Sequence, residues 1–124
     1  MRSRYAAFAC SEPEYLVRTL HSTHEGLEAG EKVLEQRIAI ACRKYKYRGL
    51  WILDSAPPDA EGTAEVLFFA KVYESGKDKS FVERSKFKHD GTGWRYVDGL
   101  LAEKKDLTVD PKALKLDTFA QMVA

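Results

Sequence analysis

The sequence predicts an α+β fold of segregated elements, with N-terminal helices packed on a curved antiparallel sheet. Two observations predict it. Residues 31–46 place apolar side chains at helical spacing after a helix-start signal near Ser11, whereas from Arg48 onward the period falls to two, with turn signals between the alternating runs.

The helices come first. "RSRYAAFA" (2–9) reads as one short helix and "SEPEYLVRTLH" (11–21) as a second, because Ser11 and Glu14 have the spacing of a capping box and Pro13 falls in the first turn. After the loop "STHEGLEAG", residues 31–46 carry Leu34, Ile38, Ala41 or Cys42, and Tyr45 along one side, which makes a third, amphipathic helix. "GLWILDSA" is a short β segment ended by the turn "PPDAEG", and "TAEVLFFAKVYE" (63–74) is a long strand. "SGKDKS" reads as a hairpin loop into "FVERSKFKH" (81–89), and "DGTG" leads to a last strand, "WRYVDG" (94–99). Asp110-Pro111 and Asp117 mark one or two short helices within residues 101–124. No repeat or Gly/Ser linker interrupts the chain, so residues 1–124 are expected to form one domain.

Composition bounds the function. Lys and Arg number 20 against 19 Asp and Glu, so there is no global field to attract nucleic acid or an anionic membrane, which argues against both as partners. No apolar run approaches the roughly 18 residues of a spanning helix, and the apolar part of "MRSRYAAFAC" is too short for a signal peptide; a cytoplasmic setting is expected. Cys10 and Cys42 are too far apart for a metal-binding knuckle and too few for a disulfide framework. They are expected as buried free thiols on helix faces, with a Cys10–Cys42 bridge as the alternative. His21, His24 and His89 share no metal-site spacing with carboxylates or cysteines, so no metal or other cofactor is expected. Neither Ser22 beside His21 nor Ser85 near Glu83 sits in a nucleophile elbow.

Strand alternation assigns the faces. Val66, Phe68, Ala70 and Val72 form one set facing the helices, and Glu65, Leu67, Phe69, Lys71 and Tyr73 the other. In the next strand Phe81, Glu83, Ser85 and Phe87 face inward, leaving Val82, Arg84, Lys86 and Lys88 on a solvated side. The last strand sends Trp94, Tyr96 and Asp98 in and Arg95 and Val97 out. A carboxylate and a hydroxyl on an aromatic face require partners, and Arg2 and Arg4 on the first helix are the candidates for Glu83. The candidate site is therefore Glu83, Ser85, Trp94, Tyr96, Asp98 and Arg4: either a helix-to-sheet ion pair in a filled core, or a pocket open to a polar ligand or to proton transfer. The outward Leu67, Phe69 and Tyr73 suggest a homodimer through the sheet.

Several blocks together, "MRSRYAAF", "YLVRTLHSTH", "GLWILD", "GTAEVLFFAKVYESG" and "FVERSKFKHDGTGWRYVDG", resemble the middle, NTF2-like domain of the YchJ (UPF0225) family over residues 1 to about 99. Residues 100–124 lie beyond that resemblance as a C-terminal extension. The resemblance implies a cone-shaped, cystatin-like α+β fold, a bacterial cytoplasmic protein, and no established activity. Family members typically flank this domain with zinc-binding SEC-C segments; neither Cys10 nor Cys42 matches a ligand of that motif, so zinc is not carried over.

The leading functional expectation is a non-enzymatic module binding a small polar-aromatic ligand or a protein partner. One alternative is an isomerase or dehydratase with Glu83 or Asp98 as general base and Tyr96 as oxyanion donor. Another is a chaperone- or ribosome-associated adaptor.

Overall fold

A computed structural model describes residues 1–123. Helix α1 (Arg2–Ala9) runs into helix α2 (Pro13–Arg18) through a tight joint, and α3 (Glu31–Lys44) follows after a 3₁₀ turn at Glu25–Ala29. The five strands are β1 (Lys46–Ala56), β2 (Thr63–Glu74), β3 (Lys77–Asp78), β4 (Phe81–His89) and β5 (Trp94–Glu103), and the chain closes with α4 (Leu116–Val123). All pairings are antiparallel, in the order β1-β2-β4-β5, with the two-residue β3 paired to the end of β2.

The helix joint differs from the expected capping box. Ser11 adopts a left-handed backbone (φ 57°), and the N–H of Glu12 returns to the carbonyl of Ala7 at 2.8 Å, so the serine serves to end α1 rather than to start α2. Glu12 is the N-cap of α2 and makes no side-chain cap bond, while Pro13 takes its place in the first turn. Cys10 caps the end of α1 and is exposed, contrary to its expected burial; Cys42 is buried against Ala7 and Leu16, and both thiols are free.

Strands β2 and β4 alternate as expected. Phe68 pairs with Glu83 and Val66 with Ser85 on the helix side, and Leu67 pairs with Arg84 and Phe69 with Val82 on the other. The second face is nevertheless not solvated. Leu67, Phe69 and Val82 are buried in a cluster with Leu114 and Phe119, and Trp51 stacks on Phe69 at 5.4 Å between centroids. The chain's own C-terminal segment therefore covers Leu67 and Phe69, two of the three residues that suggested a dimer surface. Leu116 N–H donates to the Asp54 carboxylate at 2.9 Å and Lys115 Nζ to the Leu53 carbonyl, so β1 fixes the start of α4 by polar bonds. Arg84 and Lys86 are half-buried rather than freely solvated, and Arg84 Nε is enclosed without a partner.

Strand β5 departs from simple alternation. Phe87 pairs with Tyr96 but Lys86 pairs with Asp98, so Val97 is an extra residue that shifts the phase of the rest of the strand. Asp98 consequently falls in register with Lys86 on the outer face, and Gly99 falls opposite Ser85 on the inner one. The strand also continues four residues past its expected end at Gly99, to Glu103.

Phe119 has no exposed surface and seals the outer face. Phe119→Ala is expected to cost about 3–5 kcal/mol in urea unfolding; a loss under about 1 kcal/mol would mean that α4 does not cover the sheet. In native protein Cys10 is expected to react with a thiol reagent quickly and Cys42 only on unfolding, which mass spectrometry of the labelled peptides reads directly.

Candidate functional site

The inner face of the sheet and the helices leave a cavity of about 650 Å³ between them. Its walls are mainly apolar and aromatic: Tyr5 and Phe8 come from α1, Tyr47 from β1, Phe68 from β2 and Phe81 from β4. Tyr5 and Tyr47 meet edge to face at 5.8 Å, as do Phe68 and Phe81 at 6.0 Å. At one end the wall is polar, formed by Arg4, His24, Glu83 and Tyr96.

Glu83 is the centre of that polar end. The hydroxyls of Ser85 and Tyr96 both donate to its Oε2, the Tyr96 bond measuring 3.0 Å. Oε1 takes no hydrogen bond from any described residue. Burial raises the carboxyl above its ordinary value, against the lowering effect of the two hydroxyls and of Arg4; the charge of Asp98 adds a smaller raising effect. The carboxylate and hydroxyl on the aromatic face thus answer each other. Gly99 makes room for them, since a Cβ there would collide with both the Glu83 carboxylate and the Tyr96 hydroxyl.

Arg4 does not pair with Glu83 in the expected way: no ion pair within 4 Å involves it among the described residues. Its Nη1 donates instead to the Leu16 carbonyl at 3.0 Å and to Thr19 Oγ1, near the negative end of α2. Its guanidinium carbon lies 4.7 Å from the centroid of the Tyr96 ring, a cation–π contact. His24 packs against the same tyrosine ring, with centroids 5.8 Å apart, and its Nδ1 accepts from the Gly26 N–H at 3.0 Å. Burial first and the Arg4 charge second hold His24 below its ordinary value, which keeps the imidazole neutral at pH 7.

Of the six residues predicted, the structure brings together Arg4, Glu83, Ser85 and Tyr96. Asp98 is exposed, in a shallow depression beside Arg84 and Leu100. Trp94 is 47% exposed, meets His89 edge to face at 5.5 Å and borders a smaller, separate cavity of about 380 Å³. Sequence reasoning missed His24, which it weighed only as a metal ligand, and Gly99. Gly99 was taken as the end of the last strand, and only the strand's continuation to Glu103 places it inside one, where a glycine signals close approach. No group of three or more His, Cys, Asp or Glu side chains is arranged to hold a metal among the described residues. Among the described residues no helix is long and apolar enough to cross a membrane.

Comparison with known proteins decides the family. The family described as "YchJ, middle NTF2-like domain" matches residues 1–99. The chain belongs to the YchJ family. It is 31% identical over 99 residues to the UPF0225 protein YchJ of Shigella dysenteriae serotype 1, a match that covers 80% of this chain and 62% of that protein. Among solved structures, a SEC-C motif containing protein from Psychrobacter arcticus superposes with a TM-score of 0.59 at 21% identity, over all of this chain and 72% of the other. The yeast UBP3-associated protein BRE5 superposes with a TM-score of 0.53 at 12% identity, over 82% of this chain and 88% of the other. Both similarities extend the fold assignment and nothing further.

The raised Glu83 carboxyl has a measurable sign. Stability contributed by a carboxyl raised in the folded state is fully present below its unfolded value, near 4.5, and is lost as pH rises through the folded value. Glu83→Gln keeps a neutral acceptor for both hydroxyls, so wild type is expected to lose stability relative to this variant between pH 4 and pH 8. Urea melts of the two proteins at both pH values measure this; a difference that grows in favour of wild type toward pH 8 would show that an ionised, paired Glu83 stabilises the fold.

Proposed function

We propose that this protein is a binding module whose large cavity holds a small ligand with an apolar, largely aromatic body and one polar group. The observation that supports this reading is the cavity itself: a space of about 650 Å³ with aromatic walls and a few convergent polar groups at one end. Its volume falls within the range of small-molecule sites, roughly 300–1,000 Å³. A ligand body would rest on Tyr47, Phe68 and Phe81, and its polar group would meet Arg4, His24 or Glu83.

An isomerase or dehydratase would draw on the raised Glu83 carboxyl as a proton acceptor. Tyr96 fits the companion role poorly, because its hydroxyl already donates to Glu83 rather than to a position in the cavity where an oxyanion could develop. Binding is therefore the reading the geometry favours.

The uncharged probe N-phenyl-1-naphthylamine is expected to bind with saturable fluorescence enhancement at one site per chain. Ala41 lines the cavity from α3, and Ala41→Phe is expected to weaken the probe at least tenfold while the far-ultraviolet circular dichroism is unchanged. Unsaturable binding, or binding indifferent to Ala41→Phe, would overturn the cavity as the site.

A further inference from the structure

We infer that the ligand of the large cavity is an organic carboxylate, seated against the free edge of the Arg4 guanidinium. The inference deepens the ligand-binding reading above and rests on it.

Arg4 is 7% exposed, and a guanidinium stays charged even in such a place. Its hydrogen bonds to the protein use one nitrogen only. Both protons of Nη1 are committed, one to the Leu16 carbonyl and one to Thr19 Oγ1; the threonine hydroxyl passes its own proton to the Tyr15 carbonyl at 2.8 Å. Nε and Nη2 donate to no described residue. Neither is sealed off, because Arg84 Nε alone among the described side chains is both enclosed and unpartnered.

The two free nitrogens define one edge. Nε–H and the adjacent Nη2–H point the same way in the guanidinium plane, at the spacing of the two oxygens of a carboxylate, which is the side-on fork that arginine uses for bidentate recognition. The guanidinium carbon lies over the Tyr96 ring at 4.7 Å, and neither nitrogen of this edge is enclosed. The bonds from Nη1 to α2 fix the plane, so the fork is held in place before any ligand arrives.

The charges around it favour an anion. Within the cavity Arg4 has no ion-pair partner among the described residues, and neither has the amino group of Met1, which burial and the charges of Arg4 and Arg2 hold below its ordinary value; the neighbouring carboxyl, Glu83, is shifted toward its neutral form while His24 is neutral. At the rim, Glu74 is paired with Lys44 at 3.5 Å and Glu103 with Lys105 at 3.1 Å, which leaves Lys79 as the unpaired rim cation. A carboxylate in the cavity would supply the counter-charge that the protein withholds from Arg4, and the aromatic walls would take its apolar body. A neutral ligand of the same shape would leave Arg4 as it is.

The test compares 2-naphthoate with 2-naphthalenemethanol, which have the same ring body and differ in the carboxylate, by displacement of N-phenyl-1-naphthylamine at pH 7. The acid is expected to bind at least tenfold tighter than the alcohol to wild type. Arg4→Lys keeps the charge and loses the fork, and is expected to cut this preference severalfold; Arg4→Gln is expected to bring it below twofold, with alcohol binding serving as the check that the cavity is intact. Lys79→Gln is expected to leave the preference unchanged. Arg4 also borders the smaller cavity, so Ala64→Phe, which obstructs that one, is expected to leave naphthoate binding intact while Ala41→Phe weakens it. Equal affinities for acid and alcohol would overturn the carboxylate and leave the binding module standing. A preference lost in Lys79→Gln, or binding lost in Ala64→Phe alone, would overturn the assignment to Arg4 in the large cavity. Failure of the probe, the acid and the alcohol alike would overturn the binding module itself.

Discussion

Four consecutive residues of β2, Leu67 to Ala70, are almost completely withdrawn from water, and because side chains alternate they are withdrawn on both faces of the sheet. This double burial is the constraint that organises the molecule. One face requires the helical layer and the other the C-terminal segment, so neither covering can be lost without exposing a row of large apolar groups. It also removes a source of register. In a sheet with one dry face, slipping a strand by one residue carries its apolar set into water, but β2 is apolar either way. Strand β4 supplies the missing asymmetry: Glu83 and Ser85 find their hydroxyl and carboxyl partners only on the cavity side, and Val82 finds Leu114 and Phe119 only on the other.

Arg4 has a corresponding position among the helices. One side chain from α1 bonds to α2 through Leu16 and Thr19 and lies on a β5 tyrosine, and the backbone of residues 19–21 pairs with Tyr96 along the same line. The helical layer is thus attached to the sheet at the polar end of the cavity, while its other end rests on apolar contacts around Tyr5 and Tyr47. Rigidity and polarity coincide at one end, adaptability and apolarity at the other.

The sequence was legible wherever the cause of a structure lay within a few residues. Alternation placed Phe68, Glu83, Ser85 and Phe87 correctly, because pleating is local. Helical spacing found α3 for the same reason. Burial of Leu67 and Phe69 was not legible, since it depends on where residues 107–123 return after a long excursion, and strand periodicity cannot say whether an apolar face meets its own chain or another. Asp98 was misplaced by the single unpaired residue before it. Ser11 had a cap's spacing, but the closeness of α1 and α2 demanded a left-handed turn first. The Glu83 partnership was anticipated with the wrong donor: hydroxyls two residues away and across the neighbouring strand reached it before the arginine did.

Val97 has a meaning of its own in evolutionary terms. An unpaired residue in a strand is a shift of half a wavelength in the side-chain pattern, and everything C-terminal to it is read out on the opposite face. Gain of one further residue after Val97, with the bulge itself unchanged, would bring Asp98 to the inside opposite Ser85 and carry Gly99 to the outer face, away from the place where it spares room for the carboxylate. Two acidic groups and no gap would then stand where one acid and two hydroxyls stand now. Variation at such a position acts in one step on several side chains of the cavity wall, where point substitution needs several; chains of this fold that differ by one residue in this strand are therefore where different cavity chemistries on a common frame are to be sought.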